Sequence, residues 1–479
     1  MKHILIIFLL IVSNNNLISK NRVLNSENDS LANKFLNISE IKIKGNKKTK
    51  KEIILRELDF EVGEKISTIE LNTKISDAKK NLTNLNLFNF IDFDIKKNKN
   101  TVTIEIELVE RWYVWPYPIF EISERNFNVW WNDFKETNYS DFSRINYGLF
   151  LNIENFRGRN ELIALKYRRG FKEHYQINYK IPFIKNNQNL GINTDIEFFR
   201  RKKTFYKTVE NNLIFYENSQ NFTSKDLILN FDIIFRKNVK MKHKLKMKIF
   251  HTSIDDSIKL LNPNYLSNNS NEGSFIKFSY NFIYENRDNK NYPLKGNYID
   301  IEASKNLSIS SPIKHFELYS HFEHHHILKE KIYLGSSFRS RVTHKNIQSY
   351  FTNETFGFND YVRGYEYYVV DGKDYWLSKS SVKICLIKPK KLIIPYFKME
   401  QFKKSHYSLY FSIFSDLGYA KNIQNFGDNT LANSIMWGKG ISLDYVTYYN
   451  KMIRLEFAIN RLSEKGVFLH FSNPFGTKK

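Results

Sequence analysis

Apolar and polar residues alternate along most of this chain, from Arg111 to its C-terminal end. In one clear stretch Leu227, Leu229, Phe231, Ile233 and Phe235 alternate with residues that include Asn230 and Asp232. Successive side chains of a β-strand point to opposite faces, so a period of two predicts strands with one apolar and one polar face. We predict no helix after Arg111, and the fold class is therefore all-β over most of the chain.

A membrane barrel and a soluble sandwich both alternate in this way. Membrane barrels use strands of about 9 to 11 residues, a polar lumen and aromatic girdles, and the 40 Phe and 29 Tyr residues fit such girdles. Sixteen strands would leave about 23 residues for each strand and its connection. We predict a transmembrane β-barrel of about 16 antiparallel strands over residues 111–479. Candidate strands include residues 145–153, 160–169, 190–200, 225–237, 274–284, 297–304, 405–416 and 467–471.

The N-terminus carries a short apolar run, Ile4 to Val12, behind Lys2. This run is too short to span a membrane as a helix, which needs about 20 residues. It indicates a secretory signal peptide over residues 1–20, with a short buried segment as the alternative. The polar residues 21–34 then form a flexible lead.

Residues 35–110 differ in pattern from the rest of the chain. Ile41 and Ile43 predict a short strand, and Thr49 with Glu52 has capping-box spacing for a helix ending near Leu58. A second helix is predicted from one apolar face, formed by Leu71, Ile75, Ala78, Leu82 and Leu85. Alternation at residues 91–95 and 102–108 predicts a hairpin. The order strand, helix, helix, strand, strand is a compact α+β module.

Charge and reactive residues exclude several functions. The formal net charge is +23, but lysines are spread along the chain instead of forming a patch, so no nucleic-acid partner is expected. Cys385 is the single cysteine, which excludes an intramolecular disulfide. The sequence has no nucleophile and base motif, Gly-rich phosphate loop or paired CxxC. We expect no catalytic residue, no metal and no cofactor.

Four segments resemble those of a known family. They are Ile41-Lys-Ile-Lys-Gly-Asn46 followed by Thr49; Arg287-Asp288 followed by Pro293 and Gly296; Val362-Arg363-Gly364-Tyr365; and Phe414-Ser-Asp416-Leu-Gly418. In this order they resemble the BamA/TamA superfamily of outer-membrane assembly factors, also called the bacterial surface antigen family. The resemblance implies that residues 35–110 form one POTRA domain and that the barrel contains a long loop, residues 346–376, folded back into its lumen.

The loop and one strand predict a specific contact. Ser412, Phe414 and Asp416 share a strand face opposite Leu409, Phe411 and Ile413, so Asp416 should point into the lumen. A carboxylate there needs a partner, and Arg363 offers a planar donor fork. Gly364 would let the backbone turn, with Tyr361 and Tyr365 packed beside it. The alternative is a solvated Arg363 and an isolated Asp416.

The C-terminal segment Glu464 to Phe471 resembles a barrel-insertion signal, with Gly466 followed by outward-facing Leu469 and Phe471. Eight further residues, Ser472 to Lys479, depart from the family pattern. Either Phe475 closes the last strand or a tail hangs free. In the family the seam between first and last strands is weakly paired, which implies that a client strand could add there.

Two further groups of residues invite interpretation. Trp112, Trp115, Trp130 and Trp131 are interpreted as periplasmic-side membrane anchors, with packing on the first strand as the alternative. His321, Glu323 and His325 share a strand face, but neighbours there are about 7 Å apart, which disfavours a shared metal ion.

The resemblance implies a function without catalysis. We expect an outer-membrane protein assembly factor whose periplasmic POTRA domain binds unfolded barrel precursors and whose seam inserts them without nucleotide hydrolysis. The alternatives are a dedicated secretion channel for one or few exported proteins and, from another class, an outer-membrane enzyme or passive porin. Expected partners are unfolded outer-membrane or exported polypeptides, outer-membrane lipid and accessory lipoproteins.

Overall fold

The computed structural model describes most of the chain after residue 34. The described residues are 35–122, 127–140, 142, 145–170, 172–184, 189–218, 220–267, 269–310, 314–344, 349–393, 404–423, 429–447 and 451–471. The predicted signal peptide and lead, residues 1–34, lie outside them. So do the last eight residues, including Phe475.

The N-terminal domain is the α+β module that the sequence predicts. Its elements are β1 (Phe35–Lys44), α1 (Lys51–Leu55), β2 (Lys65–Ser67), α2 (Thr68–Asn84), β3 (Phe88–Asn98) and β4 (Thr101–Glu110). The sheet order is β2-β1-β4-β3, with β1 parallel to β4 and the other pairs antiparallel. Both helices contribute to one apolar core against this sheet.

Helix α2 follows its sequence pattern closely. Leu71, Ala78 and Leu82 are fully buried, and the Ser67 side chain caps the helix by accepting a hydrogen bond from Glu70 N–H. The expected capping box of α1 is wrong. Thr49 turns its hydroxyl to Tyr113 and Asn155, and α1 is capped by no side chain and ends at Leu55.

Sixteen strands form one antiparallel sheet after this domain. In chain order they are β5 (Val114–Ile122), β6 (Ile145–Phe156), β7 (Glu161–Gly170), β8 (Lys172–Ile181), β9 (Leu190–Arg201), β12 (Ser224–Phe235), β13 (Met241–Ile254), β14 (Glu272–Glu285), β15 (Gly296–Ser308), β16 (Phe316–Lys329), β17 (Ile332–His344), β20 (Asp374–Ile393), β21 (Lys404–Lys421), β22 (Ile435–Thr447), β23 (Lys451–Asn460) and β24 (Lys465–His470). Each strand pairs with the next, from β5 to β24. Two small hairpins interrupt the series: β10 (Lys203–Val209) with β11 (Asn212–Glu217), and β18 (Glu354–Phe356) with β19 (Val370–Asp371).

Side-chain burial separates an apolar outer face from a polar interior. On β22, Trp437, Ile441 and Leu443 are exposed, whereas Ser442 and Asp444 are buried. A membrane barrel has this arrangement, with apolar residues toward lipid and polar residues in the lumen.

Two short helices lie among the strands, so the expectation of no helix after Arg111 is wrong. They are α3 (Phe127–Glu136) and α4 (Asp256–Leu261). In α3, Trp130 and Phe134 are four residues apart, so they lie on one face of the helix, and their stacked rings are 4.7 Å apart. The helix is too short for this spacing to be recognised in the sequence beside long alternating strands. Among the residues that the structure describes, no helix has the length and apolar character needed to cross a membrane.

Candidate functional site

The long connection between β17 and β20 folds into the barrel. We call it the in-folded loop, residues 345–373, of which residues 349–373 are described. Val362, Arg363 and Tyr365 are at most 3% exposed. The loop was expected to extend to residue 376, but Asp374, Tyr375 and Trp376 already belong to β20.

Arg363 and Asp416 lie in direct contact, and both side chains are fully buried. The Arg363 guanidinium donates from Nε to Asp416 Oδ2 at 2.8 Å and from a terminal nitrogen to Oδ1 at 2.5 Å. The backbone N–H of Arg363 also donates to Asp416 Oδ2, at 3.3 Å. Phe414, two residues before Asp416, places its ring 3.8 Å from the guanidinium carbon. A bidentate buried pair of this kind fixes both distance and orientation.

Glycines allow the loop to approach the strands closely. Gly364 has a φ of +90°, and its carbonyl accepts a hydrogen bond from the Asn460 side chain. A Cβ at Gly418 would lie 2.5 Å from Val362, and a Cβ at Gly438 would lie 1.7 Å from the Arg363 carbonyl oxygen. The sequence did not point to Gly438, because this residue lies outside the four segments that resemble the family.

A second ion pair holds the loop on the other side. Arg339 of β17 donates to Asp360, which also accepts from the Tyr375 hydroxyl at 2.8 Å. The guanidinium and the carboxylate are both buried. The alternation along β17 places Phe338 outward and Arg339 inward, and this pattern could have identified Arg339 as a lumen residue. Nothing in the sequence linked Arg339 to the in-folded loop.

In the turn between β14 and β15, Arg287 belongs to a group of charged and titratable side chains that contact one another. Arg287 donates to Glu285 and, at 2.8 Å, to Glu323. His321 and His325 each direct Nε2 to Glu323, at 3.1 and 2.9 Å. The histidines therefore converge on a carboxylate that also accepts a hydrogen bond from Arg287.

The remaining residues of this turn fix its shape. Asp288 Oδ1 accepts from the backbone N–H groups of Leu294 and Lys295, and the Pro293 carbonyl accepts from Lys383 Nζ at 3.2 Å. At Gly296, with a φ of +106°, a Cβ would lie 2.1 Å from a backbone oxygen. Only glycine fits there.

The N-terminal domain docks on these turns. Arg236, after β12, donates two hydrogen bonds to Glu57, at 2.5 and 2.7 Å, with little of either side chain exposed. The neighbouring Arg56 stacks 3.4 Å over the Phe183 ring, and burial, with the nearby charge of Arg236, lowers the pKa of Arg56 to about 10. The Asn84 amide donates to the Arg287 carbonyl at 3.0 Å. The turn that contains Arg287 thus contacts both the barrel lumen and the N-terminal domain.

The first and last strands, β5 and β24, form the barrel seam. They are the two ends of the 16-stranded sheet, and no ladder joins them among the described residues. The Glu154 N–H donates to Tyr113 O, so odd-numbered residues of β5 bond to β6 and even-numbered ones face the seam. Pro116 and Pro118 are even-numbered and have no N–H. The seam edge of β5 therefore lacks two donors.

Helix α3 covers the opposite edge of the seam. The Asn460 N–H donates to Glu464 O, so even-numbered residues of β24 bond to β23 and Leu469 faces the seam. The Asn128 carboxamide accepts from Leu469 N–H at 3.0 Å and donates to Leu469 O at 3.4 Å. Asn128 thus takes the place of a paired strand residue. The sequence did not predict this contact, because it is made by a single side chain of a helix that was itself not predicted.

The C-terminal strand has exposed and buried apolar side chains, and the predicted outward residue Leu469 is only partly exposed. Val467 and Phe471 are 63% and 59% exposed, whereas Phe468 is buried. A Cβ at Gly466 would lie 2.4 Å from the Phe468 ring. Trp130 and Trp131 belong to α3, beyond the first strand, and so differ from Trp112 and Trp115, which lie near the N-terminal domain.

Comparison with known proteins agrees with this architecture. Residues 36–111 match the POTRA family, described as a surface antigen variable number repeat. A search of curated proteins finds no match. The structure of CdiB from Escherichia coli is 9% identical, with a TM-score of 0.52 over 91% of this chain and 75% of that chain, and it shows a shared fold.

Two further solved structures are similar at lower scores. BamA from Haemophilus ducreyi lacking POTRA domains 1–3 is 13% identical, with a TM-score of 0.49 over 91% of this chain and 83% of that chain. CdiB from Acinetobacter baumannii is 12% identical, with a TM-score of 0.48 over 91% and 73%.

The described residues thus combine a POTRA domain with a 16-stranded antiparallel barrel on which it docks. The barrel has the fold of CdiB, and a loop with the V-R-G-Y segment is folded inside it. The chain thus matches the POTRA family over residues 36–111 and shares its overall fold with CdiB.

Proposed function

We propose that this protein is an outer-membrane assembly factor that inserts β-barrel precursors at the seam between β5 and β24. The observation that carries the proposal is the seam itself. Among the residues that the structure describes, its two edges are not paired with each other, and a side chain, Asn128, occupies the bonding position of Leu469. An unpaired strand edge is a template for an incoming strand.

The composition of the seam supports reversible pairing. Pro116 and Pro118 remove two donors from the β5 edge, and β24 is only six residues long. The two edges can therefore form only a few hydrogen bonds with each other, so little free energy is lost when they lie apart. A client strand that pairs with either edge replaces weak contacts by a regular ladder, so insertion needs no nucleotide hydrolysis.

The POTRA domain offers a second strand edge for precursors. Strand β3, with 11 residues, is at the edge of the four-stranded sheet. Strand addition to such an edge uses backbone hydrogen bonds, which recognise extended chains of many sequences. The Glu57–Arg236 contact would hold this edge in the periplasm, beside the barrel.

The lumen contents favour insertion at the seam over passage through the barrel. The in-folded loop is fastened in the lumen by the buried pairs Arg363–Asp416 and Arg339–Asp360. Breaking one such pair costs about 3–5 kcal/mol, because it leaves a buried charge without a partner. A dedicated secretion channel, the second candidate, would have to move this loop during each transport event.

Depletion of the protein, followed by quantification of the outer-membrane proteome, tests the proposal. Broad loss of barrel proteins, restored by wild type and poorly by Arg363→Ala, is the expected result. Arg461→Ala is the matched control, because this exposed arginine donates to a backbone carbonyl at 2.9 Å and to no buried acid. Loss of one exported protein alone would identify the dedicated channel instead.

A further inference from the structure

Three potential metal ligands meet between the in-folded loop and the last two strands. Glu366 of the loop, Glu456 of β23 and His470 of β24 each direct one ligand atom into a space in which these atoms lie within 4.8 Å of one another. His470 Nε2 is 3.5 Å from Glu366 Oε1 and 3.9 Å from Glu456 Oε1. We call this group the seam cluster. It is the only such group of three among the described residues.

Two members of the seam cluster, Glu456 and His470, are buried and incompletely satisfied. The Glu456 side chain is fully buried, and neither of its carboxylate oxygens has a hydrogen-bond partner. His470 is nine-tenths buried, and its Nε2 has no hydrogen-bond partner. Buried polar groups in folded proteins are nearly always satisfied by a donor, an acceptor, water or an ion. Something is therefore expected to bind at the centre of the cluster.

The spacing of the ligand atoms fits a tetrahedral ion. Zinc binds histidine nitrogen at about 2.0–2.1 Å and carboxylate oxygen at about 2.0–2.2 Å. Two ligands at such distances in a tetrahedron are about 3.4 Å apart. The two separations from His470 are 3.5 and 3.9 Å and all three are within 4.8 Å, so an adjustment of the side chains would bring the ligand atoms to these distances. We propose that Glu366, Glu456 and His470 form a site for a divalent cation of the zinc class.

Outer contacts already orient two of the three ligands. The backbone N–H of Gly364 donates to Glu366 Oε2 at 2.8 Å, which leaves Oε1 directed at His470. The Tyr361 ring stacks on the His470 imidazole, and its hydroxyl is 3.5 Å from Nδ1. Metal sites commonly fix their histidines through the second ring nitrogen in this way.

The surrounding charges leave room for a cation. The two nearest arginines are engaged by aspartates, Arg363 by Asp416 and Arg454 by Asp444. A terminal nitrogen of Arg454 also lies 4.0 Å from a Glu456 oxygen. Lys379, 3.9 Å from Asp416, is then one positive charge facing the two glutamates of the cluster. The balance is negative, as binding of a cation requires.

An ion at this place would connect the loop to the seam. Its ligands come from the in-folded loop, from β23 and from β24, the strand whose other edge faces the seam. Metal binding would therefore hold β24 in the closed barrel, and removal of the metal would loosen it. The rival is a protonated His470 that bridges the two carboxylates without a metal.

Metal titration of the purified full chain in detergent micelles separates these two possibilities. After treatment with a chelator, the protein is titrated with Zn²⁺, and with Co²⁺ to follow the visible absorption of a tetrahedral site. One ion per chain is expected for wild type. His470→Ala and Glu456→Gln should each weaken binding at least 10-fold.

The controls address folding and adventitious binding. His324→Ala removes an exposed histidine of the same protein and should leave the affinity unchanged. Glu456→Gln keeps the side-chain shape, so a folded variant is obtained if His470→Ala unfolds, as checked by the heat-dependent mobility of barrels in gels. Absence of stoichiometric binding by wild type, or equal binding by wild type and both folded variants, would overturn the proposal.

Discussion

Both backbone groups of Leu469 are bound by one side chain, the carboxamide of Asn128, although helix α3 and strand β24 lie at opposite ends of the barrel sequence. A carboxamide has one acceptor and one donor in the geometry of a peptide group, so it can imitate a neighbouring strand at one position. The seam edge of β24 is thus covered at one position by a side-chain contact, which a client strand would replace under the proposed function.

Asn128→Ala should uncover this edge. Loss of one hydrogen-bond pair is worth about 1 kcal/mol, which corresponds to about fivefold faster amide exchange at Leu469. Hydrogen exchange measured by mass spectrometry in nanodiscs detects the change. Asn132→Ala is the matched control, because Asn132 is on the same helix and bonds only to Glu136. Equal exchange in the two variants would show that Asn128 does not protect the edge.

Docking of the POTRA domain depends on the buried pair Glu57–Arg236. Arg236→Ala leaves the Glu57 carboxylate buried without its partner and should weaken docking by about 3–5 kcal/mol. Distances between spin labels on the domain and on the barrel should become broader. Lys240→Ala breaks a half-exposed pair with Asp77 and should cost less than about 1 kcal/mol. Similar broadening in both variants would contradict the central role of Glu57–Arg236.

Long strands and the POTRA domain could be predicted because their patterns are local and repeated. Alternation places Asp416 inward and Ile413 outward, and the apolar face of α2 is evident from its spacing. Helix α3 could not be predicted in this way. Its ten residues are stabilised by aromatic contacts and by two hydrogen bonds to a strand more than 300 residues away.

Because the in-folded loop packs closely against β22, Gly438→Ala should destabilise the barrel. The added Cβ would overlap the Arg363 carbonyl oxygen, so the loop must shift or the strand must bend, at a cost of about 1–3 kcal/mol. Thermal unfolding of the barrel in detergent should begin at a lower temperature. Lys439→Ala, at the exposed neighbouring position of the same strand, is the control. An unchanged transition in Gly438→Ala would contradict the described approach.

Removing only one charge of the Arg363–Asp416 pair should lower the stability of the protein more than removing both charges. Arg363→Met leaves the buried Asp416 carboxylate without its bidentate partner and with only Lys379 at 3.9 Å, and the expected loss of stability is about 3 kcal/mol. The double variant Arg363→Met with Asp416→Leu removes both charges and should recover most of that loss. Unfolding in urea measures both variants. If the double variant is no more stable than Arg363→Met, the cost does not come from an unpaired carboxylate.

Site residues in the motifs could be predicted, but their partners often could not. The contact of Arg363 with Asp416 follows from strand parity and from the need of a buried carboxylate for a donor. Arg339, Gly438 and the seam cluster depend on where the in-folded loop crosses strands distant in sequence. That crossing is a property of the closed barrel, and no local pattern encodes it.

Photo-crosslinking in living cells tests the central claim most directly. A crosslinking amino acid is placed at Phe120 of β5 or at Val467 of β24, both outward-facing and exposed, and at Leu318 of β16 as a control far from the seam. Insertion at the seam predicts crosslinks from the two seam positions to many barrel precursors and few from Leu318. Equal crosslinking at all three positions, or none to barrel precursors at the seam, would contradict it.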